Sequence, residues 1–137
     1  MVQTYVVAKV LLVNPDRKVS VLRRSKTDTR RPLEGDIPGG WVEKGEDFTA
    51  AAIRETEEET GIQLPTSDVQ LVYAHTAKLD DHNTCWLFFV GHTSETEFKL
   101  SSEHDKADWL TLDQAIETIS YPVQHDFLVY IKENNLL

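Results

Sequence analysis

The chain has 137 residues, 40% hydrophobic and 27% charged, enough to bury a core without disulfide or metal staples. Its formal charge of −9 leaves no broad basic face for a nucleic-acid backbone, and a lone cysteine, Cys85, excludes an internal disulfide. These features predict one globular domain over residues 1–137 in a reducing, cytoplasmic compartment.

At the N-terminus, residues 6–13 are apolar but interrupted by Lys9, too short to span a bilayer, and without a basic lead or small-residue cleavage site. They read as a strand. Residues 4–13 and 18–24 are rich in β-branched side chains and flank Asn14-Pro15-Asp16-Arg17, so they predict a hairpin. A polar loop, 25–36, leads to Ile37-Pro38-Gly39-Gly40. Arg23, Arg24, Lys26, Arg30 and Arg31 gather just before it, and as a group suit bidentate contacts to phosphate. Trp41 and Val42 are expected to start a short strand running into Lys44-Gly45-Glu46.

Residues 47–60 read as a helix, with Asp47 as cap, alanines at 50, 51 and 52, and Gly61 placed for the left-handed position after the last turn. At about 100° per residue, Glu55, Glu58 and Glu59 share one face. Neighbouring carboxylates on a solvated helix repel by a few tenths of a kcal/mol per pair. A divalent cation reverses that sign, because Mg²⁺ or Mn²⁺ takes hard oxygen ligands from one or two carboxylates and fills its other positions with water and phosphate. The overall negative charge points the same way, since a polyanion entering an acidic pocket needs metal ions between them.

Further on, residues 68–79 and 84–92 predict a second hairpin across Asp80-Asp81-His82-Asn83, whose polar corner reads as turn chemistry. His75, His92, His104 and His125 show no ligand spacing and read as surface or satisfied structural residues. A polar stretch, 94–105, precedes a short strand at 107–110. Thr111 with Gln114 predicts a capped helix to about residue 119, and Tyr121-Pro122 breaks it. In the last helix, ending near 134, Val123, Phe127, Tyr130 and Ile131 form the core face.

The spacing Gly40, Glu46, Arg54-Glu55, Glu58-Glu59, Gly61-Ile62 resembles the signature of the Nudix hydrolases, G-x5-E-x7-R-E-U-x-E-E-x-G-U, over residues 40–62. Thr56 is its one departure, standing where the signature has a bulky aliphatic residue; it is close to Val in shape. The resemblance implies the Nudix fold, an α/β/α sandwich with a mixed β-sheet between helices. It implies Mg²⁺, with Mn²⁺ as a substitute, held by Glu55, Glu58 and Glu59, with the Gly39 carbonyl and Glu103 as further ligands. Glu55 is the first choice for orienting or deprotonating water, with the glutamate roles interchangeable. Glu103, or Asp105 as second choice, would enter from a loop as ligand or base. Arg54 would hold the carboxylates, Glu46 would support the loop, and Arg23 or Arg24 would bind phosphate.

The substrate implied is a nucleoside diphosphate-linked small molecule: a (deoxy)nucleoside triphosphate split to monophosphate and pyrophosphate, with a nucleotide sugar or ADP-ribose as alternatives. A non-catalytic nucleotide-binding module is the competing class, whereas an EF-hand calcium loop lacks its spaced Asp/Asn ligands and central glycine. Neither a nucleic-acid polymer nor a membrane is expected as partner, and oligomeric state, a homodimer included, is left open. Many relatives carry a Trp before Pro-Gly-Gly where Asp36 and Ile37 stand here, so base stacking tied to that Trp does not carry over.

Overall fold

The computed structural model describes residues 2–137. In chain order the elements are β1 (Gln3–Val13), β2 (Val19–Arg24), β3 (Gly35–Asp36), β4 (Gly39–Trp41), α1 (Phe48–Thr60), β5 (Val69–Lys78), β6 (His82–His92), β7 (His104–Leu110), α2 (Leu112–Thr118) and α3 (Pro122–Glu133). β1 is central. Along one edge β6 runs parallel to it, from Gln3↔His82 to Val13↔His92, and β5 returns antiparallel beyond β6. Along the other edge β1 meets β4 through Val7↔Trp41, Ala8↔Gly40 and Lys9↔Gly39, and β2 only at Val13↔Val19. β2 carries β3 and β7 on its own two sides.

Burial of every residue from Val7 to Val13 follows from helices covering both faces of the sheet. On one face Leu11, Val13, Phe88 and Val90 pack against Ile119, Phe127, Leu128 and Ile131 of the α2–α3 layer. On the other, Ala8, Val10, Leu12, Leu87 and Phe89 pack against Ala52 of α1 and Ile62 and Leu64 after it. Each fully buried Leu, Ile or Phe of this kind contributes about 1.5–3 kcal/mol. A mixed sheet between helices is the expected α/β/α architecture. Among the described residues, no helix is long and apolar enough to cross a membrane.

Local signals place α1. The Asp47 carboxylate accepts from Ala50 N at 3.0 Å, and Gly61, at φ 75°, closes the other end by donating to Glu57 O at 2.8 Å. Thr56 is fully buried and donates its hydroxyl to Ala52 O at 2.7 Å, so the polar atom of this departure from the signature is satisfied within the helix. Thr111 and Gln114 form a reciprocal capping box on α2.

Three strand expectations need correction. The first hairpin closes only at its base, where the Asn14 side chain accepts from Asp16 N and Lys18 N; beyond it β2 leaves β1 to pair with β7 and β3. Its place beside β1 goes to β4. That strand ends at Trp41, where it was expected to begin, because the Gly39-Gly40 backbone itself pairs with β1 and the chain turns at Gly45, φ 76°. β7 begins at His104, three residues early, drawn along β2 as far as Arg24↔His104.

Candidate active site

A cavity of about 820 Å³ lies where β1, β4 and β6 meet α1 and the loop before β7. Two glutamates of α1, Glu55 and Glu59, face it across the Gly39-Gly40 backbone. A Cβ on Gly39 would stand 2.1 Å from Ala8 O, and one on Gly40 would stand 2.6 Å from Glu55 Oε2. Glycine at 39 is required by the close approach of strand to strand at φ 147°, whereas a Cβ at 40 would displace the Glu55 carboxylate.

Glu59 is 4% exposed and accepts from Gly39 N at 3.0 Å. Burial pushes its carboxyl up to about 7, against the pull of Lys9 and of that backbone N–H. Burial also raises Glu55, more than Arg54 lowers it, and the charges of Glu58 and Glu103 add to the rise. Glu58 is placed differently: more than half exposed, it lies outside the cavity lining and 3.3 Å from Arg54 Nη1.

Arg54 is the hub of this end of α1. It grips Glu46 bidentately, at 2.7 Å from Nε and 3.0 Å from Nη2, and donates to Glu55 at 2.9 Å and to Trp41 O at 3.2 Å. Its grip brings the Glu46 carboxyl down to about 2. The guanidinium therefore offsets the repulsion that clustered glutamates would otherwise suffer.

The basic residues divide. Arg24 lines the cavity and bonds Asp28 and Asp36, whereas Arg23 pairs with Asp105 at 2.7 Å, away from it. The strand slips register between Arg23 and Arg24. Arg30 and Arg31 also reach the lining, and Glu103 enters it from the loop before β7.

Sequence reasoning missed a buried polar network behind these groups. Asp36, 1% exposed, accepts from Lys9 Nζ (3.4 Å), Arg24 Nη1 (3.3 Å) and Gln124 Nε2 (2.8 Å), and bonds His104 Nε2 at 2.8 Å. Burial raises the Asp36 carboxyl, but Lys9, His104 and Gln124 outweigh it and hold it well below the usual range. Lys9 also donates to Ile37 O at 2.9 Å. The one available signal was Lys9 itself, a charge within an apolar strand. His104, read as surface or satisfied structural, is in this network; Asp81 of the second turn and His82, expected in that turn but the first residue of β6, also line the cavity.

The oxygen donors can be weighed against a hard divalent cation. Among the described residues, no three carboxylate, imidazole or thiol side chains converge enough to hold a metal by themselves. Mg²⁺ does not need that: one or two carboxylates plus substrate phosphate and water satisfy it. Glu55 and Glu59, desolvated and facing one cavity over a backbone that no Cβ obstructs, fit that demand.

A mixed sheet between helices, with a glutamate-bearing helix laid against a glycine strand, defines the Nudix fold. A family model described as the NUDIX domain matches residues 4–129, and the chain belongs to that family. The MutT protein of Methanosarcina mazei Go1 superposes with a TM-score of 0.83 at 24% identity, covering 98% of this chain and 97% of that one. An RNA pyrophosphohydrolase of Pelagibacter ubique is 25% identical over 126 residues, covering 80% of this chain and 78% of that protein. An octanoyltransferase of Myxococcus xanthus is 30% identical over 127 residues; the match covers 87% of this chain but 33% of that protein's length.

Proposed function

We propose that this chain hydrolyses a phosphoanhydride bond in a nucleoside diphosphate-linked substrate, with Mg²⁺ or Mn²⁺ as cofactor, and that a nucleoside triphosphate is split to monophosphate and pyrophosphate. The observation that carries this is the meeting, in one cavity, of Glu55 and Glu59 with Arg24, Arg30 and Arg31 against the Gly39-Gly40 backbone. Glu55 and Glu59 would hold the metal with the Gly39 carbonyl, Glu103 facing them from the loop before β7, while Glu58, outside the cavity lining, would join them only by swinging its side chain away from Arg54. When bound, the cation would polarise phosphate oxygens and lower the pKa of a nearby water.

The residues of this chain do the rest. Arg24, Arg30 and Arg31 orient the phosphates through charge-assisted hydrogen bonds. Glu55, half-buried and raised by burial, takes the proton as water forms the new P–O bond and the anhydride P–O bond breaks, its electron pair leaving with pyrophosphate. Glu103 is the second choice for that proton. Arg54 positions Glu55 and Glu58 without touching substrate. We propose residues 1–137 as one domain. A free thiol at Cys85 suits a reducing cytoplasm.

The test is release of phosphate and pyrophosphate from a nucleotide panel with and without Mg²⁺. Expected is turnover that chelation abolishes and that Glu55→Gln and Glu58→Gln each reduce at least 100-fold. Metal-independent binding without turnover of any substrate would mean a binding module instead.

A further inference from the structure

We infer that Lys9 serves the site as a built-in cation, which acts through Glu59 to hold down the affinity of the empty protein for a divalent ion. This rests on the hydrolase reading and adds to it a control on how the metal is loaded. Lys9 is the one charged side chain of β1 and is 5% exposed, yet it borders the same cavity as Glu55 and Glu59. Strand pairing sets it there: Lys9 pairs with Gly39, whose N–H is donated to Glu59. Its ammonium donates to Ile37 O at 2.9 Å and to Asp36 Oδ1 at 3.4 Å. Neither contact matches its charge fully. The nearer partner is a neutral carbonyl, and the Asp36 carboxylate is shared with Arg24, His104 and Gln124, the last two at 2.8 Å.

A lysine taken out of water persists only where neighbouring negative charge offsets its desolvation. Asp36 supplies part of that charge and Glu59 the rest; among the groups that stabilise the ionised Glu59 carboxyl, Lys9 stands ahead of the Gly39 N–H. In the empty protein Lys9 is therefore the counter-ion of both carboxylates. A divalent ion approaching Glu59 meets a field that already contains a positive charge, and in a poorly solvated pocket that repulsion carries over several ångströms. Binding turns favourable once further negative charge enters, as a phosphate group brings. The consequence is a site that fills with metal and phosphate together and stays largely free of metal between turnovers.

The experiment measures Mn²⁺ binding without any phosphate, by calorimetry and by the EPR signal of the free ion, in wild type, Lys9→Met, Lys9→Gln, Lys9→Arg and Lys18→Met. Lys18 is exposed and outside the cavity lining, so it controls for net charge. Expected is Mn²⁺ bound at least about 10-fold more tightly by Lys9→Met and Lys9→Gln, the order expected for removing one buried charge. Lys9→Arg should restore wild-type binding, and Lys18→Met should stay within about twofold of it because solvent and salt screen a surface charge. A lysine that only braced the strands would give the opposite sign, since its loss would loosen Gly39 and Glu59 and weaken the metal. Circular dichroism checks folding, and Lys9→Gln decides if Lys9→Met unfolds. If both unfold, wild type decides alone: a Mn²⁺ Kd tighter than about 100 μM overturns the inference and a weaker one supports it. Binding unchanged or weakened in Lys9→Met, with wild type turning over a nucleotide, overturns the inference and leaves the hydrolase reading standing. Tightened binding in Lys9→Met, with no turnover of the nucleotide panel by wild type, sustains the inference and removes the reading.

Discussion

Glu59 shows how a single side chain is held for use at a cost to stability. Its carboxyl sits near 7 in the folded chain and near its ordinary 4.5 when unfolded, so between those values the folded state binds more protons. Stability therefore falls as pH rises from about 4.5 to 7, and the cost stays above that window. A shift of this size corresponds to about 3 kcal/mol. Glu59→Gln should flatten this dependence: in chelator-treated protein, the difference between variant and wild type in urea unfolding free energy should favour the variant more at pH 8 than at pH 5. An equal difference at both pH values would contradict the burial argument. Glu46 has the opposite sign, its contribution present above the usual carboxylate value and lost as pH falls toward 2. The glutamate signature made these residues visible in sequence. Whether Arg23 or Arg24 meets the cavity was not readable, since the register slip between them breaks the alternation such a reading needs.

Among the elements, α1 and the second hairpin were legible because their signals are local: a cap at Asp47, a left-handed Gly61, and a polar turn between apolar runs. The first hairpin misled for the same reason. Its turn is real, but which strand lies beside β1 is decided by residues far along the chain, and β4 with its glycines fits closer than β2 could. Gly39 is the tightest point of that fit, at φ 147° with Ala8 O 2.1 Å from where a Cβ would be. Gly39→Ala should destabilise the protein by about 3 kcal/mol or more, from backbone strain plus displacement of β1, and should abolish turnover. Thermal unfolding measures it, and a loss under 1 kcal/mol would mean the strands part easily.

For the molecule as a whole, Asp36 matters most, because it ties the sheet to α3 through Gln124, to β1 through Lys9 and to β7 through His104. None of these partners is near it in sequence, so the network was illegible, although each member was in view. Asp36→Asn should cost about 3–5 kcal/mol by leaving Lys9 buried without its counter-charge. Denaturant titration should show a lower midpoint at unchanged slope; a loss below 1 kcal/mol would show the network to be dispensable. The parallel pairing of β1 with β6 bears on how the chain reaches this state. Gln3 meets His82 and Val13 meets His92, so the apolar first strand leaves the ribosome long before the segment that shields its longer edge. Closing so wide a loop precedes any reward from the central pairing, which makes refolding slow for the chain's size and leaves the nascent segment a target for chaperones.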